Sequence, residues 1–268
     1  ELFPEMIDAT PLNKKIILGT ALWGWRVSRL EAFRLIESHF ENGEPIIDTA
    51  TNYPINKSKD DFGRAVKWLT EWTQSHRNDK FSLIVKLGSK NNLGGPEVDL
   101  SPKNIIETTK RLEDAFGSSL SCVSVHWDNR SDDTEDYIAI SQTVDAMREI
   151  QKTGLSIGLS GVKDPGSYYR SDPSLSGEWA IQVKENFLTD ASRLSYQPYF
   201  PSSRYFAYGI NMGGIKLENN KIEHSKNLRG ITIDPDIVEK LRRLLKAAKS
   251  LEPCPNTLNQ LALAFAHC

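Results

Sequence analysis

The sequence predicts a single α/β barrel, in which parallel strands alternate with helices around one core. Short apolar runs alternate with longer segments of helical period along the chain, and no two runs are joined directly by a two-residue hairpin turn. Seven such runs in 268 residues give roughly the spacing of βα units. The runs are apolar on both parities, as strands are when both faces of a parallel sheet are covered.

The predicted elements follow this pattern in order. Strands are predicted at 15–18, 45–48, 81–88, 121–127, 155–161, 179–186 and 204–210. Helices are predicted at 29–43, 58–72, 101–117, 137–154, 237–248 and 257–267. The first helix stops at Gly43, the second opens with Ser58 as its N-cap, and the third has Ser101 as N-cap, Pro102 in its first turn and Gly117 at its end.

Two stretches are less regular. A helix is expected within 163–178, but Pro and Gly interrupt the pattern, and 216–233 is polar and predicted to be a long loop. No shift of composition marks a boundary, so residues 1–268 are predicted to form one domain.

Two architectures fit this order of elements, an open doubly wound sheet and a (β/α)8 TIM-type barrel. A doubly wound nucleotide-binding protein should carry G-x-G-x-x-G after its first strand, whereas this chain has GTALWGW. The barrel is therefore preferred. It requires an eighth strand, which is missing or lies beyond the end, so we expect either that the natural chain continues past Cys268 or that its end is disordered. Because the first residue is Glu1, some native sequence is also expected to be missing at the other end.

Composition excludes several classes of protein. The formal net charge of −2 provides no basic excess for a nucleic acid, and no apolar run is long enough to span a bilayer. The start of the chain lacks a signal-peptide pattern. The three widely spaced cysteines favour a reducing cytoplasm over a disulfide framework, and the five histidines form no zinc motif. The predictions are a cytoplasmic location, no metal, no nucleic acid and no membrane.

Three consecutive strands deliver ionisable residues at their carboxyl ends, where a barrel of this kind places its site. The second strand is predicted to end at Asp48, with Tyr53 in the next loop, the third at Lys86 and the fourth at His126. Neighbouring strands lie about 4.8 Å apart, so these ends span roughly 10 Å. Taken singly, such an aspartate commonly caps a turn, such a lysine is solvated, and a histidine beside a tryptophan packs.

Together the four side chains form a working set. A lysine cation beside Tyr53 should lower the pKa of the tyrosine from about 10 toward neutrality, while Asp48 keeps Lys86 charged. The tyrosine can then give its proton to a carbonyl oxygen, which His126 can orient.

Seven segments, in this order and at this spacing, resemble the aldo-keto reductases over nearly the whole chain. They are LGTALWG (18–24), IDTATNYP (47–54), VKLG (85–88), VHWD (125–128), IGLSG (157–161), IQVKEN (181–186) and FAYGI (206–210). The resemblance implies a (β/α)8 barrel that uses NADPH, or less often NADH, without a Rossmann motif. It implies Tyr53 as general acid, Lys86 and Asp48 as the groups that tune it, and His126 as the group that orients the carbonyl.

The resemblance also implies a set of cofactor contacts at Gly19, Thr20, Ser160, Gln182, Tyr208, Gly209 and Asn211. Thr20 falls near the nicotinamide end, Ser160 and Gln182 at the carboxamide, and Tyr208 where a ring stacks on the nicotinamide. If they do not bind a cofactor, Thr20 and Ser160 are hydroxyl residues at strand ends, Gln182 is an amide within the core, and Tyr208 is an aromatic residue of the core.

The chain departs from the family in three places. Gly161 stands where the family usually has Asn, and Gly209, Ile210 and Asn211 stand where it commonly has Ser-Pro-Leu. The pyrophosphate contacts would then come from backbone groups or from Asn211, with MGG (212–214) allowing close approach. The segment that binds the adenosine 2′-phosphate in the family would follow the last helix, so these residues do not distinguish NADPH from NADH.

The substrate is constrained only loosely. Trp23 and Trp127 follow strand ends and form either apolar pocket walls or packing at the barrel rim, and 166–173 forms part of the mouth. Such walls suit an aldehyde, a ketone or a sugar. The leading prediction is a nicotinamide-dependent carbonyl reductase or, in reverse, an alcohol dehydrogenase. The alternatives are a cofactor-sensing regulatory protein with the same fold, since potassium-channel β subunits resemble this family, and a barrel lyase or hydrolase.

Overall fold

The structure of the protein is a computed structural model that describes residues 16–41, 43, 45–76, 79–215, 233–250, 252 and 254–267. Its strands are β1 (Ile17–Gly19), β2 (Ile46–Ala50), β3 (Ser82–Leu87), β4 (Leu120–Val125), β5 (Ser156–Ser160), β6 (Trp179–Lys184) and β7 (Arg204–Tyr208). Its α-helices are α1 (Arg29–Phe40), α2 (Arg64–Ser75), α3 (Pro102–Phe116), α4 (Thr134–Lys152), α5 (Pro165–Ser171), α6 (Ala191–Tyr196), α7 (Pro235–Ala247) and α8 (Leu258–His267).

The strands form one sheet in the order β1-β2-β3-β4-β5-β6-β7, and every neighbouring pair is parallel. Helices connect successive strands. The sheet curls into the partial barrel of a (β/α)8 TIM-type fold, as the sequence predicts. In the part of the chain that the structure describes, the sheet has these seven strands and no eighth. The predicted loop at 216–233 and the end at Cys268 lie largely outside the described residues.

The predicted strand ends need correction by one or two residues. β2 continues to Ala50, so Asp48 lies within the strand, and β3 continues one residue past Lys86. β4 ends at Val125, and His126 follows it directly. These shifts change how far each side chain lies from the end of its strand. They do not change the face of the sheet on which the side chain lies.

Two helices differ from their predictions for local reasons. Ser58 caps no α-helix: its side chain makes no capping hydrogen bond, and it precedes a single 3-10 turn at Lys59–Asp61. α2 begins only after Gly63, whose φ of 74° interrupts the helix. Conversely, a regular helix forms at α5, because Asp164 caps it and Pro165 occupies the first turn, where proline needs no amide hydrogen.

The strands separate two cores. Their outward side chains pack against the helices in the main apolar core, which includes Ile47, Val85 and Val123. Inside the curled sheet a smaller apolar layer is formed by Ile84, Cys122 and Ala180, against which Ile17, Ile46 and Phe206 pack. The polar residues Asp48, Lys86 and Gln182 follow on the same strand faces, toward the carboxyl ends, because side chains two apart share a face. None of the described helices combines the length and apolarity needed to cross a membrane.

Candidate active site

A buried ion pair joins the second and third strands. Lys86 Nζ donates a hydrogen bond to Asp48 Oδ2, and the lysine is almost completely inaccessible to solvent. Burial by itself lowers the pKa of Lys86, but the interactions with Asp48 and Tyr53 together outweigh it, and the pKa lies above the usual 10.5. Lys86 is therefore a cation at neutral pH.

Tyr53 lies above this pair, in the loop that follows β2. Its N–H donates to Ala50 O at 3.1 Å, which turns the chain at the strand end, and its ring is buried in the main core. Lys86 Nζ lies 5.0 Å from the ring centroid. The side chain is thus held beside the cation that the sequence analysis assigned to it.

The expected lowering of the Tyr53 pKa is not found in this structure. Burial raises the pKa of Tyr53 above its usual 10.0, and the Lys86 charge offsets only part of that rise. The Asp48 carboxylate acts in the same direction as burial, since it disfavours a second negative charge nearby. Tyr53 is therefore a neutral phenol at physiological pH, with its proton in place.

His126 completes the group from the fourth strand. Its backbone N–H donates to Leu87 O at 2.9 Å, and its ring contacts the Tyr53 ring edge-on, with 5.3 Å between the ring centroids. Burial first, and the Lys86 charge second, hold the pKa of His126 well below 6.5. The imidazole is neutral and donates one hydrogen bond from whichever nitrogen carries its proton.

Ser89 is a contact that sequence reasoning missed. It follows β3 by two residues, and its hydroxyl oxygen lies 3.3 Å from His126 Nδ1. The spacing from Lys86 to Ser89 gives no periodic pattern, because the chain has left the strand and turns through Gly88, whose φ is 105°. Only the fold shows that this hydroxyl reaches the neighbouring strand end.

Gln182 joins the same cluster from across the sheet. Its Nε2 donates to Asp48 Oδ1 at 2.6 Å, so Asp48 is held by Lys86 on one oxygen and by Gln182 on the other. The amide oxygen of Gln182 is buried and has no hydrogen-bond partner among the described residues. Ser160, buried at the end of β5, is paired in register with Gln182.

Three further predicted contacts lie at the neighbouring strand ends. Gly19 is paired in register with Asp48, and the buried Thr20 donates its hydroxyl to Thr49 Oγ1 at 2.8 Å. Tyr208 ends β7 with 47% of its surface exposed. Thr49 shares a strand face with Ile47 of the main core, so the Thr20 side chain lies on the opposite face from Asp48, and it is the Thr20 backbone N–H that donates to Asp48 O, at 3.0 Å.

The chain beyond β7 turns tightly. Gly209 has a φ of 66° and accepts a hydrogen bond from Asn186 Nδ2 at 3.0 Å. Asn211 O accepts from Gly214 N at 2.9 Å. Met212, Gly213 and Gly214 all have φ between 55° and 80°, so the stretch at 212–214, which was predicted to allow close approach of the pyrophosphate, forms a tight turn.

Comparison with known proteins agrees with this arrangement. The model of the aldo/keto reductase family matches residues 15–195, which is more than half of the chain. The chain belongs to the aldo-keto reductase family.

Individual relatives of this aldo-keto reductase are distant. Protein tas of Escherichia coli (strain K12) and Protein tas of Shigella flexneri are each 27% identical over an alignment of 157 residues, which covers 51% of this chain and 44% of each relative. The match therefore spans less than half of these curated relatives. Two solved structures from Pseudomonas aeruginosa, assigned to the aldo-keto reductases, are 20% identical, with TM-scores of 0.54 over 73% of both chains and 0.52 over 71% of this chain and 70% of the other. Those two similarities concern the fold alone.

Gly161, where the family usually has Asn, is explained by its backbone. Its φ is 57°, and a Cβ at this position would lie 3.1 Å from Trp127 Cβ. Asparagine tolerates a left-handed backbone better than other residues with a Cβ, so glycine and asparagine are alternatives for one conformation. Here the close approach of Trp127 favours glycine.

The two tryptophans occupy different environments in this aldo-keto reductase. Trp23 is 1% exposed and belongs to the main core, which corresponds to the packing interpretation. Trp127 is half-buried beside His126, with 6.0 Å between ring centroids. Its Nε1 is buried and has no hydrogen-bond partner among the described residues, so the indole N–H can donate a hydrogen bond to a ligand.

The segment 166–173, predicted to form part of the mouth, contains both buried and exposed residues, and Arg170 and Pro173 are exposed. Tyr168 within it is buried and donates to Asp128 Oδ2 at 2.8 Å, while Arg130 binds both oxygens of the same carboxylate. This network fixes the loop after β4, which carries Trp127. Among the described residues, no three His, Cys, Asp or Glu side chains gather in a way that could hold a metal ion.

Proposed function

We propose that the protein is an NAD(P)H-dependent oxidoreductase that reduces an aldehyde, ketone or sugar carbonyl, or oxidises the corresponding alcohol. One observation supports this above the others. A protonated Tyr53 has the Lys86 Nζ 5.0 Å from its ring centroid and the neutral imidazole of His126 at 5.3 Å between centroids. A proton donor, a positive charge and a hydrogen-bond donor are thus neighbours. Carbonyl reduction needs these three groups where negative charge develops on oxygen.

In the proposed reduction, each residue has a distinct role. Tyr53 gives its phenolic proton to the carbonyl oxygen, and the Lys86 cation stabilises the phenolate that remains. Asp48 and Gln182 hold Lys86 in position. His126 donates a hydrogen bond to the same carbonyl oxygen and selects its orientation. In the reverse direction the phenolate accepts the alcohol proton.

The residues fit a nicotinamide cofactor. The buried, unpartnered amide oxygen of Gln182 would accept from the carboxamide, with Ser160 beside it. Tyr208 presents a half-exposed ring for stacking, and Gly19 and the backbone of Thr20 lie beside Asp48 at the end of the neighbouring strand. Gly209, Asn211 and the turn at 212–214 supply backbone groups for the pyrophosphate. When bound, the cofactor supplies or accepts the hydride.

The remaining assignments are proposals of the same kind. We propose that residues 1–268 belong to one domain, that the protein works in the cytoplasm without a metal, and that Trp127 borders the substrate. NADP(H) is the first choice of cofactor and NAD(H) the second.

The test is a titration followed by a screen. NADPH and NADH are added separately while cofactor fluorescence is followed, and small aldehydes, ketones and sugars are then screened for cofactor oxidation. Binding with turnover of at least one carbonyl supports the proposal. Binding without turnover of any carbonyl would favour the cofactor-sensing alternative, and no binding of either nucleotide would rule out both.

A further inference from the structure

An open cavity lies outside the curled sheet, between α2 and α3. Its volume is about 440 Å³, enough for a small organic molecule, and it is lined by residues that follow β2 and β3 and by the facing sides of the two helices. It is separate from the Asp48, Tyr53 and Lys86 cluster, none of which lines it. Two lining residues connect it to that cluster: Ser89 contacts His126, and the Thr51 N–H donates to Lys86 O at 2.9 Å.

The charged groups of this cavity favour an anion. Lys90 and Arg111 line it against one carboxylate, Asp99. Asp99 is already engaged, since its Oδ1 accepts hydrogen bonds from Ser101 N at 3.1 Å and Ser101 Oγ at 2.7 Å. In the part of the chain that the structure describes, neither Lys90 nor Arg111 forms a salt bridge with a carboxylate.

The remainder of the wall is apolar or carries hydroxyl and amide groups. Phe62, Val66 and Leu112 contribute side chains to one cavity, and Phe62 leaves 46% of its surface exposed. Arg111 is oriented by a hydrogen bond from its Nη2 to Thr108 Oγ1 at 2.9 Å, and both residues line the cavity. A cavity wall that combines apolar side chains with a guanidinium suits a ligand with an apolar body and a carboxylate.

We propose that the cavity between α2 and α3 binds a small organic carboxylate. Arg111 and Lys90 hold the carboxylate, and Phe62, Val66 and Leu112 cover the apolar body. The proposal does not depend on the proposed reductase activity, because it concerns binding at a different place.

The test uses benzoate as the probe, followed by backbone amide NMR of the whole protein. Benzoate is expected to cause saturable shifts at Gly63 and Gly88, which both line the cavity. Benzyl alcohol, which keeps the ring without the charge, and acetate, which keeps the charge without the ring, are each expected to bind about tenfold more weakly.

Two variants test whether the positive charge of Arg111 binds the carboxylate. Arg111→Gln is expected to weaken benzoate about tenfold, whereas Lys110→Gln, the same charge change one residue away and outside the cavity, is expected to leave the affinity unchanged. The proposal is overturned if benzoate gives no saturable shifts, if the shifts centre on Tyr53 and His126 instead, or if both variants bind as the unaltered protein does.

Discussion

Lys86 and Asp48 form a buried ion pair between neighbouring strands, at the level where the apolar interior of the sheet gives way to polar groups. Burial lowers the pKa of Lys86, and the interactions with Asp48 and Tyr53 together raise it above its usual value. The other oxygen of Asp48 accepts from Gln182, so one carboxylate joins three strands. Both the architecture and the chemistry of the site depend on this carboxylate.

Asp48→Asn should therefore destabilise the fold. The substitution keeps the size of the side chain but leaves the Lys86 cation buried without its counter-charge, which typically costs about 3 kcal/mol. Urea denaturation at neutral pH measures the loss. The destabilisation should shrink as the pH rises toward the ionisation of Lys86, because the neutral amine needs no partner.

Asp145→Asn is the matched control for that measurement. Asp145 is exposed on α4, and a surface change of this kind should alter the free energy of unfolding by less than about 0.5 kcal/mol. Equal effects of the two substitutions would show that the Asp48 carboxylate does not stabilise Lys86.

The ionisation of Tyr53 gives a second prediction. Because burial raises its pKa above 10.0, the Tyr53 phenol should remain protonated through pH 10 in the protein without cofactor. Ultraviolet titration of the protein against Tyr53→Phe isolates its phenolate. The fold favours the protonated form, so this contribution to stability is complete below pH 10 and disappears as the pH rises through the raised pKa.

The same titration in Lys86→Met tests how the Lys86 charge affects the pKa of Tyr53. The Lys86 charge lowers the pKa of Tyr53, so its removal should move the ionisation to still higher pH. A phenolate that titrates below pH 10 in the unaltered protein would contradict the structure, as would a downward shift in Lys86→Met.

Ser89 should act as a positioning residue for His126. We expect its hydroxyl to donate to Nδ1, which leaves the single imidazole proton on Nε2, free to reach a carbonyl. Ser89→Ala should lower kcat about tenfold with little change in KM for the cofactor. Nitrogen NMR of the His126 ring should show the Nε2–H tautomer in the unaltered protein and a mixture in the variant.

Ser89→Thr retains the hydroxyl and is the control. It should keep the tautomer and most of the activity. If His126 shows the same tautomer in Ser89→Ala as in the unaltered protein, the contact at 3.3 Å does not set the proton position.

Gly161→Ala should destabilise the protein by about 2 kcal/mol, from a left-handed backbone and a forced contact with Trp127. Gly154→Ala provides a comparison, since its φ is 99° but no atom lies within 4 Å of its Cβ position. Thermal unfolding of both should show a larger loss at Gly161. Equal losses would mean that Trp127 yields to the added methyl group.

Much of the fold was predictable because local patterns agree with the tertiary structure. α3 begins after Ser101 and ends before Gly117 as predicted, since N-cap, proline and glycine all act within one turn of their positions. The strands were found because a sheet covered on both faces needs continuous apolar runs.

The predicted helices were wrong where the backbone conformation, rather than the residue type, decides where a helix begins. Ser58 has the chemistry of an N-cap, but the positive φ of Gly63 separates it from the helix. Pro165 was treated as an interruption although it stands where proline starts a helix. In both places the sequence allows two conformations, and the packing of the surrounding chain selects one.

The candidate site was predictable in its members but not in its electrostatics. Asp48, Tyr53, Lys86 and His126 meet because parallel strands bring their carboxyl ends to one edge. The direction of the Tyr53 pKa depends on how deeply the ring is buried relative to its distance from Lys86, which no spacing in the sequence records. Ser89 was missed for a similar reason, since its contact with His126 crosses between strands outside any regular element.

We propose that Tyr53 provides the proton for carbonyl reduction. This role is tested by comparing carbonyl-dependent NADPH oxidation at neutral pH in the unaltered protein and in Tyr53→Phe, with NADPH binding measured in both. Equal binding is expected, together with a fall in kcat of about a thousandfold, the typical contribution of a general acid. Turnover that persists undiminished in Tyr53→Phe would contradict it.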